Sequence, residues 1–352
     1  MSVKDPLGHH LLKSRITQCS EIIQGMLEAP IQATISDRAA HFTVTGIGSS
    51  EAHAKFFMDL INRYTPSSAT FLNLSNFYTI LPKTPKEKKS ILVVFSQGIS
   101  PNALLAINQR HLFKELILFT SITATDLQSP RANLIKTLKI EGHTVIEFPL
   151  ENEYTLLIRI IGPLAGYLAV IQFINHNWHE CIKLLPYNNS DLIQAIKNAD
   201  NNIPKSAINI LEKMKQGSVF LMPAPLCLYA QNLCYKLLEG LFIPQPTVVD
   251  YLSFSHGIFQ QLITNPRPIV IFKENTIESQ LLYVRAKSMI EDTKSEIIEI
   301  TSELPPPWNI FEYEATLNHL ALKGIEKWSI DQIAWPGKSL DHNLYDIQNP
   351  QS

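Results

Sequence analysis

Two turns rich in serine carry the residue types that could bind an anion. Residues 46–51 read Gly-Ile-Gly-Ser-Ser-Glu before an alanine-rich helical pattern, and residues 96–102 read Ser-Gln-Gly-Ile-Ser-Pro-Asn before the helix-forming run 103–107. Serine hydroxyls and backbone amides at the N-terminus of a helix attract negative charge, and the helix dipole adds to this attraction. The candidate ligands of the anion are Ser49, Ser50, Ser96, Gln97 and Ser100. A small phosphate ester is the natural fit.

The first turn differs from the common nucleotide-binding loops. A dinucleotide fingerprint needs a third glycine where Glu51 stands, and a P-loop needs a lysine that this turn lacks. Taken alone, the turn is equally typical of an ordinary strand-to-helix connection capped by Ser49 or Ser50. The second serine-rich turn favours anion binding if both turns lie at one edge of a sheet.

Parallel strands would bring the two turns to one edge. Short β-branched runs alternate with longer amphipathic segments, a pattern typical of βαβ units and a parallel sheet. Five strands are predicted in the first half: Phe42–Ile47, Thr70–Leu74, Ile91–Phe95, Leu116–Thr120 and Thr144–Phe148. Ligands of open parallel sheets bind in the crevice beyond the carboxyl ends of the strands, where both serine-rich turns fall.

The second half repeats this pattern in a shorter form. Its predicted strands are Ser218–Met222, Thr247–Asp250, Ile269–Phe272 and Glu296–Thr301. Helix-like segments such as Leu226–Leu241 and Thr276–Glu291 separate them, and the polar stretch Pro186–Lys205 indicates a domain boundary. We therefore predict two α/β domains, residues 1–200 and 201–352, each with a parallel sheet of five or fewer strands flanked by helices in a Rossmann-like or flavodoxin-like arrangement.

Composition excludes several classes of protein. Of the 352 residues 45% are hydrophobic, which is enough for a large core and argues against a disordered chain. A net charge of −2 is too balanced for a nucleic-acid-binding surface. The cysteines Cys19, Cys181, Cys227 and Cys234 are too scattered for a disulfide scaffold or paired zinc ligands. With no signal peptide at the N-terminus, a reducing, cytoplasmic location is expected.

Two segments suggest other functions that we do not expect. Leu156–Ile174 is long enough for a membrane span, but Arg159 and Pro163 within it favour a buried interdomain helix. Residues 176–180 read His-Asn-Trp-His-Glu, which does not reproduce the spacing of a zinc-binding helix. We therefore predict no membrane association and no metal.

The serine-rich turns resemble those of the sugar isomerase (SIS) domain family, and more closely the tandem-domain isomerase half of glutamine–fructose-6-phosphate amidotransferase and its deaminase and isomerase relatives. Gly48-Ser49-Ser50 matches the Gly-Ser/Thr-Ser turn of the family. Residues 96–100 are similar to its Ser-Gln-Ser-Gly-x-Ser/Thr phosphate loop, one residue shorter. The resemblance spans about residues 21–340 and implies two tandem SIS domains.

Three segments of the second half add to this resemblance. The family's Leu-Lys-x-x-Glu helix is similar to residues 235–239, which implies that Glu239 is the enolisation base. Its His-Gly-Pro turn, whose histidine opens the sugar ring, is similar to His256-Gly257-Ile258. Its Asp-Gln-Pro-Arg-Asn-Leu-Ala-Lys-Ser-Val segment resembles residues 331–340 without a gap and implies an active-site Lys338. The resemblance also implies a homodimer, in which one subunit's histidine completes the other's site.

These residues suit an aldose–ketose interconversion. Burial would raise the pKa of Glu239 toward the working pH, while Lys236, one helical turn earlier, would oppose that shift or stabilise a developing oxyanion. His256 could shuttle the proton on the ring oxygen, and Lys338 could close the site or meet an open-chain carbonyl. Lys236 and Glu239 also have the spacing of an ordinary surface ion pair worth about 0.2–0.5 kcal/mol.

Departures from the family pattern narrow the expected function. Met222-Pro223-Ala224-Pro225 stands where a glycine-rich turn is expected, and residues 154–159 contain no counterpart of the sugar-contacting Ser-Thr-Lys segment. No glutaminase domain is expected before residue 20, so we do not expect this chain alone to transfer an amide group from glutamine. We predict a phosphosugar isomerase or amino-sugar-phosphate deaminase that uses no cofactor. The alternatives are a non-catalytic sugar-phosphate sensor that regulates a partner protein, and an amino-sugar lyase or deglycase that uses Glu239.

Overall fold

The computed structural model forms two compact units whose segments interleave along the chain. The structure describes residues 5–35, 37–79, 89–125, 130–148, 155–180, 188–340 and 342–347. The described residues within Gly25–Glu153, Gly162–Pro186 and Trp335–Ser352 form what we call the first unit. Those within Met1–Gln24, Tyr154–Ile161 and Tyr187–Ala334 form the second unit. The segment before Gly25 thus groups with the second sheet, whereas the sequence analysis places it in the first domain. The predicted domain boundary at residue 200 stays a prediction.

Strands and helices alternate through most of the chain. The strands are β1 (His41–Thr45), β2 (Ser68–Phe71), β3 (Ser90–Phe95), β4 (Glu115–Thr120), β5 (Thr144–Glu147), β6 (Val219–Met222), β7 (Thr247–Asp250), β8 (Ile269–Lys273) and β9 (Ile297–Thr301). The helices are α1 (His9–Glu28), α2 (Ser49–Tyr64), α3 (Asn76–Thr79), α4 (Ala103–Ile107), α5 (Pro130–Ile140), α6 (Ile161–Trp178), α7 (Asn189–Asn198), α8 (Ala207–Met214), α9 (Ala224–Leu228), α10 (Gln231–Leu241), α11 (Ile258–Thr264), α12 (Ile277–Glu291), α13 (Asn309–Trp328) and α14 (His342–Tyr345).

Each unit contains one parallel sheet. The first has the order β2-β1-β3-β4-β5 and the second β7-β6-β8-β9, so the second repeats the order of the first four strands of the first. Every recorded pairing is parallel. All nine predicted strands are confirmed, with ends displaced by up to three residues. The predicted α/β class with two parallel sheets flanked by helices is therefore confirmed.

The central strands of the first sheet are covered on both faces. On one face, alternate residues of β3 and β4, such as Leu92 and Leu116, pack into a cluster of buried side chains. On the other, Phe95 and Phe119 stack with ring centroids 4.4 Å apart. Strands buried on both faces read as nearly continuous apolar runs, which is why β3 and β4 stand out in the sequence.

Helix α6 accounts for the apolar segment weighed as a membrane span. The helix begins at Ile161, five residues later than the predicted segment, so Pro163 lies in its first turn, where a missing amide hydrogen costs no helical hydrogen bond. The Pro163 carbonyl accepts a hydrogen bond from His53 Nε2 at 3.0 Å. Gly166 permits this approach, because a Cβ there would lie 2.3 Å from the His53 ring. Among the described residues, no helix combines the length and hydropathy that a membrane span requires.

One predicted helix is divided in two, and part of another predicted segment is not described. The predicted helix Leu226–Leu241 is interrupted at Tyr229 and Ala230, so it forms α9 and α10. Cys181 and the start of the predicted boundary stretch at Pro186 lie outside the described residues. The other three cysteines are free thiols.

Candidate functional site

The order of the first sheet places a crevice between β1 and β3. These strands are neighbours, with Thr45 paired to Val94, while the chain leaves β1 toward one side of the sheet and β3 toward the other. At such a switch point the two connections diverge and leave room for a ligand at the carboxyl ends of the strands. The first serine-rich turn follows β1 and the second follows β3. The fold thus brings the predicted anion-binding turns to adjacent positions at one edge.

Two glycines shape the first turn. Gly48 adopts φ 62°, which favours glycine, and is the N-cap of α2. Gly46 lies so close to the next turn that a Cβ would be 2.4 Å from the Ser50 carbonyl oxygen. Ser50 is buried and Ser49 half-buried at the start of α2. The Glu51 charge in the same helical turn is paired with Lys55 at 2.6 Å, which reduces its repulsion of an anion.

Internal hydrogen bonds fix the second turn. Ser96 Oγ accepts a hydrogen bond from the Ser100 amide at 3.1 Å, and Ser100 Oγ accepts one from the Ala103 amide at 3.3 Å. A hydroxyl that accepts in this way keeps its own hydrogen for donation. Both serines can therefore donate to a ligand without rearrangement of the turn.

Ile99 has an unusual backbone conformation. Its φ of 49° lies in the left-handed region, which is strained for a β-branched residue and unstrained for glycine. Glycine is the fourth residue of the Ser-Gln-Ser-Gly-x-Ser/Thr pattern, and Ile99 is the fourth residue of this turn. The backbone conformation is consistent with an alignment without the predicted one-residue deletion, in which Gly98 replaces the middle serine and Ile99 replaces the glycine. That alignment places Pro101, which has no hydroxyl, at the Ser/Thr position, whereas the predicted deletion places Ser100 there.

Besides the acceptor Asn102 Oδ1, three buried atoms at this edge that can donate have no hydrogen-bond partner among the residues that the structure describes: Thr45 Oγ1, Gln97 Nε2 and Ser121 Oγ. They belong to the end of β1 and to the residues just after β3 and β4. Thr45 is 0% exposed, and Gln97 is held by its carbonyl, which accepts from the Ser121 amide at 2.9 Å. Buried polar groups rarely lack partners, and an absent ligand or water is an ordinary explanation. The sequence analysis does not include Thr45 and Ser121 among the candidate ligands. Their positions at the ends of predicted strands were the signal that could have identified them.

The C-terminal tail of the first unit is attached beside the second turn. Asn102 Nδ2 donates to the carbonyl of Leu344 in α14 at 2.8 Å. The same tail carries Lys338, whose exposed ammonium lies 4.2 Å from the centre of the Trp335 ring, a cation–π distance. The tail that contains the predicted active-site lysine is therefore connected to the residue that precedes α4.

In the second unit, Lys236 is buried and not part of a surface pair with Glu239. It is 1% exposed, donates to the Arg159 carbonyl and forms an ion pair with Glu314 at 3.2 Å. Burial raises the pKa of Glu314, and the charge of Lys236 opposes the shift. The surface-pair interpretation is thus wrong, because the partner of Lys236 is a buried carboxylate on α13.

Glu239 has the electrostatic setting of a candidate base. Burial raises the pKa of this half-buried carboxyl above its ordinary value, while the charges of Arg159 and Lys236 oppose the shift. Carboxyl groups with a pKa nearer to neutral are suited to proton transfer at physiological pH.

A buried amide holds Arg159 and Glu239 in place. Gln332 is 0% exposed; its Nε2 donates to the Gly240 carbonyl at 3.0 Å, and its Oε1 accepts from the Ile158 amide at 3.1 Å. The segment before Arg159 is thereby fixed against the end of α10. Neither Arg159 nor Gln332 was singled out as a site residue in the sequence, although Gln332 lies in the family-like segment 331–340.

His256 occupies an exposed turn of the second unit. It precedes Gly257, which has φ 93° and is the N-cap of α11. The Gly257 amide donates to Gln260 Oε1 at 2.9 Å, which fixes the start of the helix. The imidazole is therefore presented to solvent from a defined turn.

The corresponding crevice of the second sheet has a different chemical character. Pro223, which has no amide hydrogen, follows β6, and Glu274 follows β8. The buried Glu274 carboxylate accepts from Ser279 Oγ at 2.9 Å and from Asn309 Nδ2 at 2.8 Å. A carboxylate in this position repels an anion, so the candidate phosphate site lies at the first sheet.

Comparison with known proteins bears on the fold. No family model matches the sequence, and no curated protein matches it. Solved structures do share its fold. The C-terminal domain of glucosamine-fructose-6-phosphate aminotransferase from Francisella tularensis has a TM-score of 0.65 at 13% identity, covering 89% of this chain and 96% of that one.

Two further structures are similar over most of their length. Glucosamine-6-phosphate deaminase from Thermotoga maritima has a TM-score of 0.64 at 16% identity, with 92% of this chain and 97% of that one covered. Tagatose-6-phosphate ketose/aldose isomerase from Escherichia coli has a TM-score of 0.66 at 12% identity, with 91% and 94% covered. These likenesses support the SIS fold that the serine-rich turns indicate.

Proposed function

We propose that the protein is a cytoplasmic enzyme that binds a phosphorylated sugar or amino sugar and isomerises or deaminates it through an enediol-type proton transfer. The observation that carries this proposal is the set of unpartnered polar atoms of Thr45, Gln97 and Ser121 at the carboxyl edge of the first sheet. A phosphate group supplies acceptors for these atoms and for the hydroxyls of the two serine-rich turns. The three structural neighbours named above are enzymes named for phosphorylated sugars, which supports the same ligand class.

The phosphate would be held by neutral donors of the first unit. Ser96 and Ser100 accept hydrogen bonds from their own turn and donate outward, and Gln97 adds a side-chain amide. Ser49 and Ser50 at the start of α2 contribute hydroxyls and the positive end of the helix dipole. Hydrogen bonds to a charged acceptor are about twice as strong as neutral ones, so several hydroxyls suffice to bind a dianion.

Glu239 would move a proton between the carbonyl carbon and the hydroxyl-bearing carbon next to it. In its ionised form it removes the proton from the hydroxyl-bearing carbon, the C–H electron pair forms the carbon–carbon double bond, and the carbonyl oxygen takes up a proton to give the enediol. The protonated carboxyl then returns a proton to the former carbonyl carbon, while the neighbouring hydroxyl loses its proton and becomes the new carbonyl. The raised pKa of Glu239 favours the protonated form of the carboxyl, which the second step needs. Arg159 would stabilise the negative charge that develops on oxygen, a role for which the buried ammonium of Lys236 is less suited because Glu314 already pairs with it.

His256 and Lys338 would complete the site. An exposed imidazole at a rigid turn is suited to ring opening in a neighbouring subunit, which is why we include a homodimer in the proposal. Lys338 lies on the tail attached beside the second turn and would close over the bound sugar. No step of this scheme calls on a metal or a nucleotide cofactor.

The test combines binding with turnover. Fructose 6-phosphate, glucosamine 6-phosphate and a fructosamine phosphate are screened by thermal shift, where a ligand at 100 times its dissociation constant stabilises by about 2.7 kcal/mol. Unphosphorylated sugars are the control for recognition of the phosphate. We expect the phosphorylated compounds alone to stabilise the protein and at least one to be converted.

Glu239→Gln distinguishes an enzyme from a sensor. The substitution should reduce turnover at least about 100-fold, the usual contribution of a general base, without loss of binding. Glu278→Gln, at an exposed glutamate on α12, is the matched control and should leave turnover unchanged. Binding by the unmodified protein without conversion of any compound would refute the enzyme and favour the sugar-phosphate sensor.

A further inference from the structure

A second cleft lies at the opposite, amino edge of the sheet in the second unit. Its volume is about 510 Å³, within the range of about 300–1,000 Å³ that small-molecule sites occupy. Its walls come from the end of α8 and from the residues that precede β6, β8 and β9. The charged residues among them are Glu212, Lys213, Lys215, Arg267, Lys294 and Glu296.

The charge of this cleft is positive after its internal ion pairs are formed. Lys213 pairs with Glu296, and Lys215 pairs with Glu212 at 2.6 Å. Within the described part of the chain, no carboxylate lies within ion-pair distance of Arg267 or Lys294. Arg267 Nη2 donates to Gln261 Oε1, which is neutral and leaves the guanidinium charge uncompensated. Two positive charges therefore remain.

Hydrogen-bonding groups accompany the positive charge. Arg267 Nε and Ser295 Oγ are buried and have no partner among the residues described, and both residues line the cleft. Gly217 leaves space beside Arg267, because a Cβ at this glycine would lie 3.4 Å from Nη1. Buried polar groups in native proteins usually have partners, so these two donors are available to a ligand that accepts hydrogen bonds.

The backbone holds these groups together. The Val219 amide donates to the Pro268 carbonyl at 3.0 Å, and the Ile269 amide donates to the Glu296 carbonyl at 2.9 Å. The residues before β6, β8 and β9 are thus joined side by side, which fixes Arg267 next to the segment that carries Lys294 and Ser295. The arrangement of donors is part of the sheet edge and does not depend on a mobile loop.

We propose that this cleft is a second anion site, which binds the dianion of a phosphate monoester through Arg267, Lys294 and Ser295. The two uncompensated charges match the charge of the dianion, and the arginine and serine donors match its oxygen acceptors. The volume leaves room for the group that carries the phosphate. The site lies entirely within the second unit, so it is separate from the serine-rich turns and does not depend on the function proposed for them.

Site-specific NMR tests this proposal in the full chain. Amide resonances of Gly217, Lys294 and Ser295 are followed in deuterated, ¹⁵N-labelled protein during titration with sodium phosphate at pH 8, where the dianion predominates. We expect saturable shifts of these resonances, which sodium chloride at the same ionic strength does not produce. Resonances of the first unit report separately on binding at the serine-rich turns.

Variants assign the effect to the cleft. R267Q/K294Q should weaken phosphate binding at the cleft at least tenfold, whereas Lys197→Gln, at an exposed lysine of α7 outside the cleft, should not change it. If the double variant does not fold, Arg267→Lys keeps the charge, removes the Nε donor and should weaken binding to a smaller extent. Absent shifts, equal shifts with chloride, or full binding by the folded double variant would each overturn the proposal.

Two phosphate monoesters identify the carrier group. Glucose 6-phosphate and AMP are titrated in the same way, and saturation of the cleft resonances by either supports the proposal and shows which carrier the cleft prefers. If inorganic phosphate binds but neither monoester does, a monoester site is refuted.

Discussion

The buried pair of Lys236 and Glu314 offers the strongest test of how the second unit is stabilised. Replacement of one member leaves the other charge buried, which typically costs about 3–5 kcal/mol. Lys236→Met and Glu314→Leu should each destabilise the protein by this amount, because the two side chains are only 2% and 0% exposed. With a denaturant slope of about 3 kcal/mol per molar urea, the midpoint should fall by about 1–2 M.

The double variant separates the cost of an unpaired buried charge from the cost of the lost hydrogen bond to the Arg159 carbonyl. K236M/E314L leaves no buried charge, but the Arg159 carbonyl loses the hydrogen bond from Lys236, which costs about 1–3 kcal/mol. The double variant should therefore be more stable than either single variant. Urea denaturation of the intact chain, followed by tryptophan fluorescence, measures all three. Single losses below about 1 kcal/mol, or a double loss equal to their sum, would refute the buried-pair interpretation.

The pH dependence gives an independent measure. Burial raises the pKa of Glu314, and in K236M the opposing charge is gone, so the folded state binds a proton more readily than the unfolded state. Stability of K236M relative to the unmodified protein should then be least reduced at acid pH, where the carboxyl is protonated in both states, and should decrease further as the pH rises above the ordinary carboxylate range. An identical pH dependence in both proteins would contradict this assignment.

Three further predictions follow from individual contacts. Arg159→Gln removes a charge that lowers the pKa of Glu239, so the acid limb of the rate profile for a converted phosphosugar should move to higher pH; an unchanged profile would exclude this coupling. Ile99→Gly relieves about 1–2 kcal/mol of left-handed strain but removes a fully buried side chain worth about 2–5 kcal/mol, so urea denaturation should show a net loss of up to about 4 kcal/mol rather than a gain. Gly166→Ala places a methyl group 2.3 Å from the His53 ring, and a melting temperature equal to that of the unmodified protein would disprove this contact.

The sheets could be predicted because their signals are local. Strands such as β3 and β8 are short apolar runs bounded by polar turns, and the turn after β1 contains Gly48, which adopts a positive φ. Helix ends were less accurate, since the start of α6 depends on where Pro163 is tolerated rather than on hydropathy. The break between α9 and α10 has no glycine or proline to indicate it.

Features of the site that depend on distant partners could not be predicted. The partner of Lys236 lies on α13, far along the chain, whereas the nearest carboxylate in sequence is Glu239. The left-handed conformation of Ile99 has no signature in its residue type, and the role of Gln332 requires knowledge that Ile158 packs beside α10. Residue types could be recognised from the sequence, but the pairings that determine their charge state required the three-dimensional structure.

The two sheets share the order of their first four strands but differ in chemistry at the carboxyl edge. In the first sheet this edge is lined by hydroxyls and amides, and in the second Glu274 fills the equivalent position with a negative charge of the chain's own. The Glu274 carboxylate thus occupies, as part of the chain, the place at this edge that a bound anion would otherwise take. The second sheet therefore needs no bound anion to satisfy the donors Ser279 and Asn309 at this edge, and any anion that the second unit binds has to find its donors elsewhere.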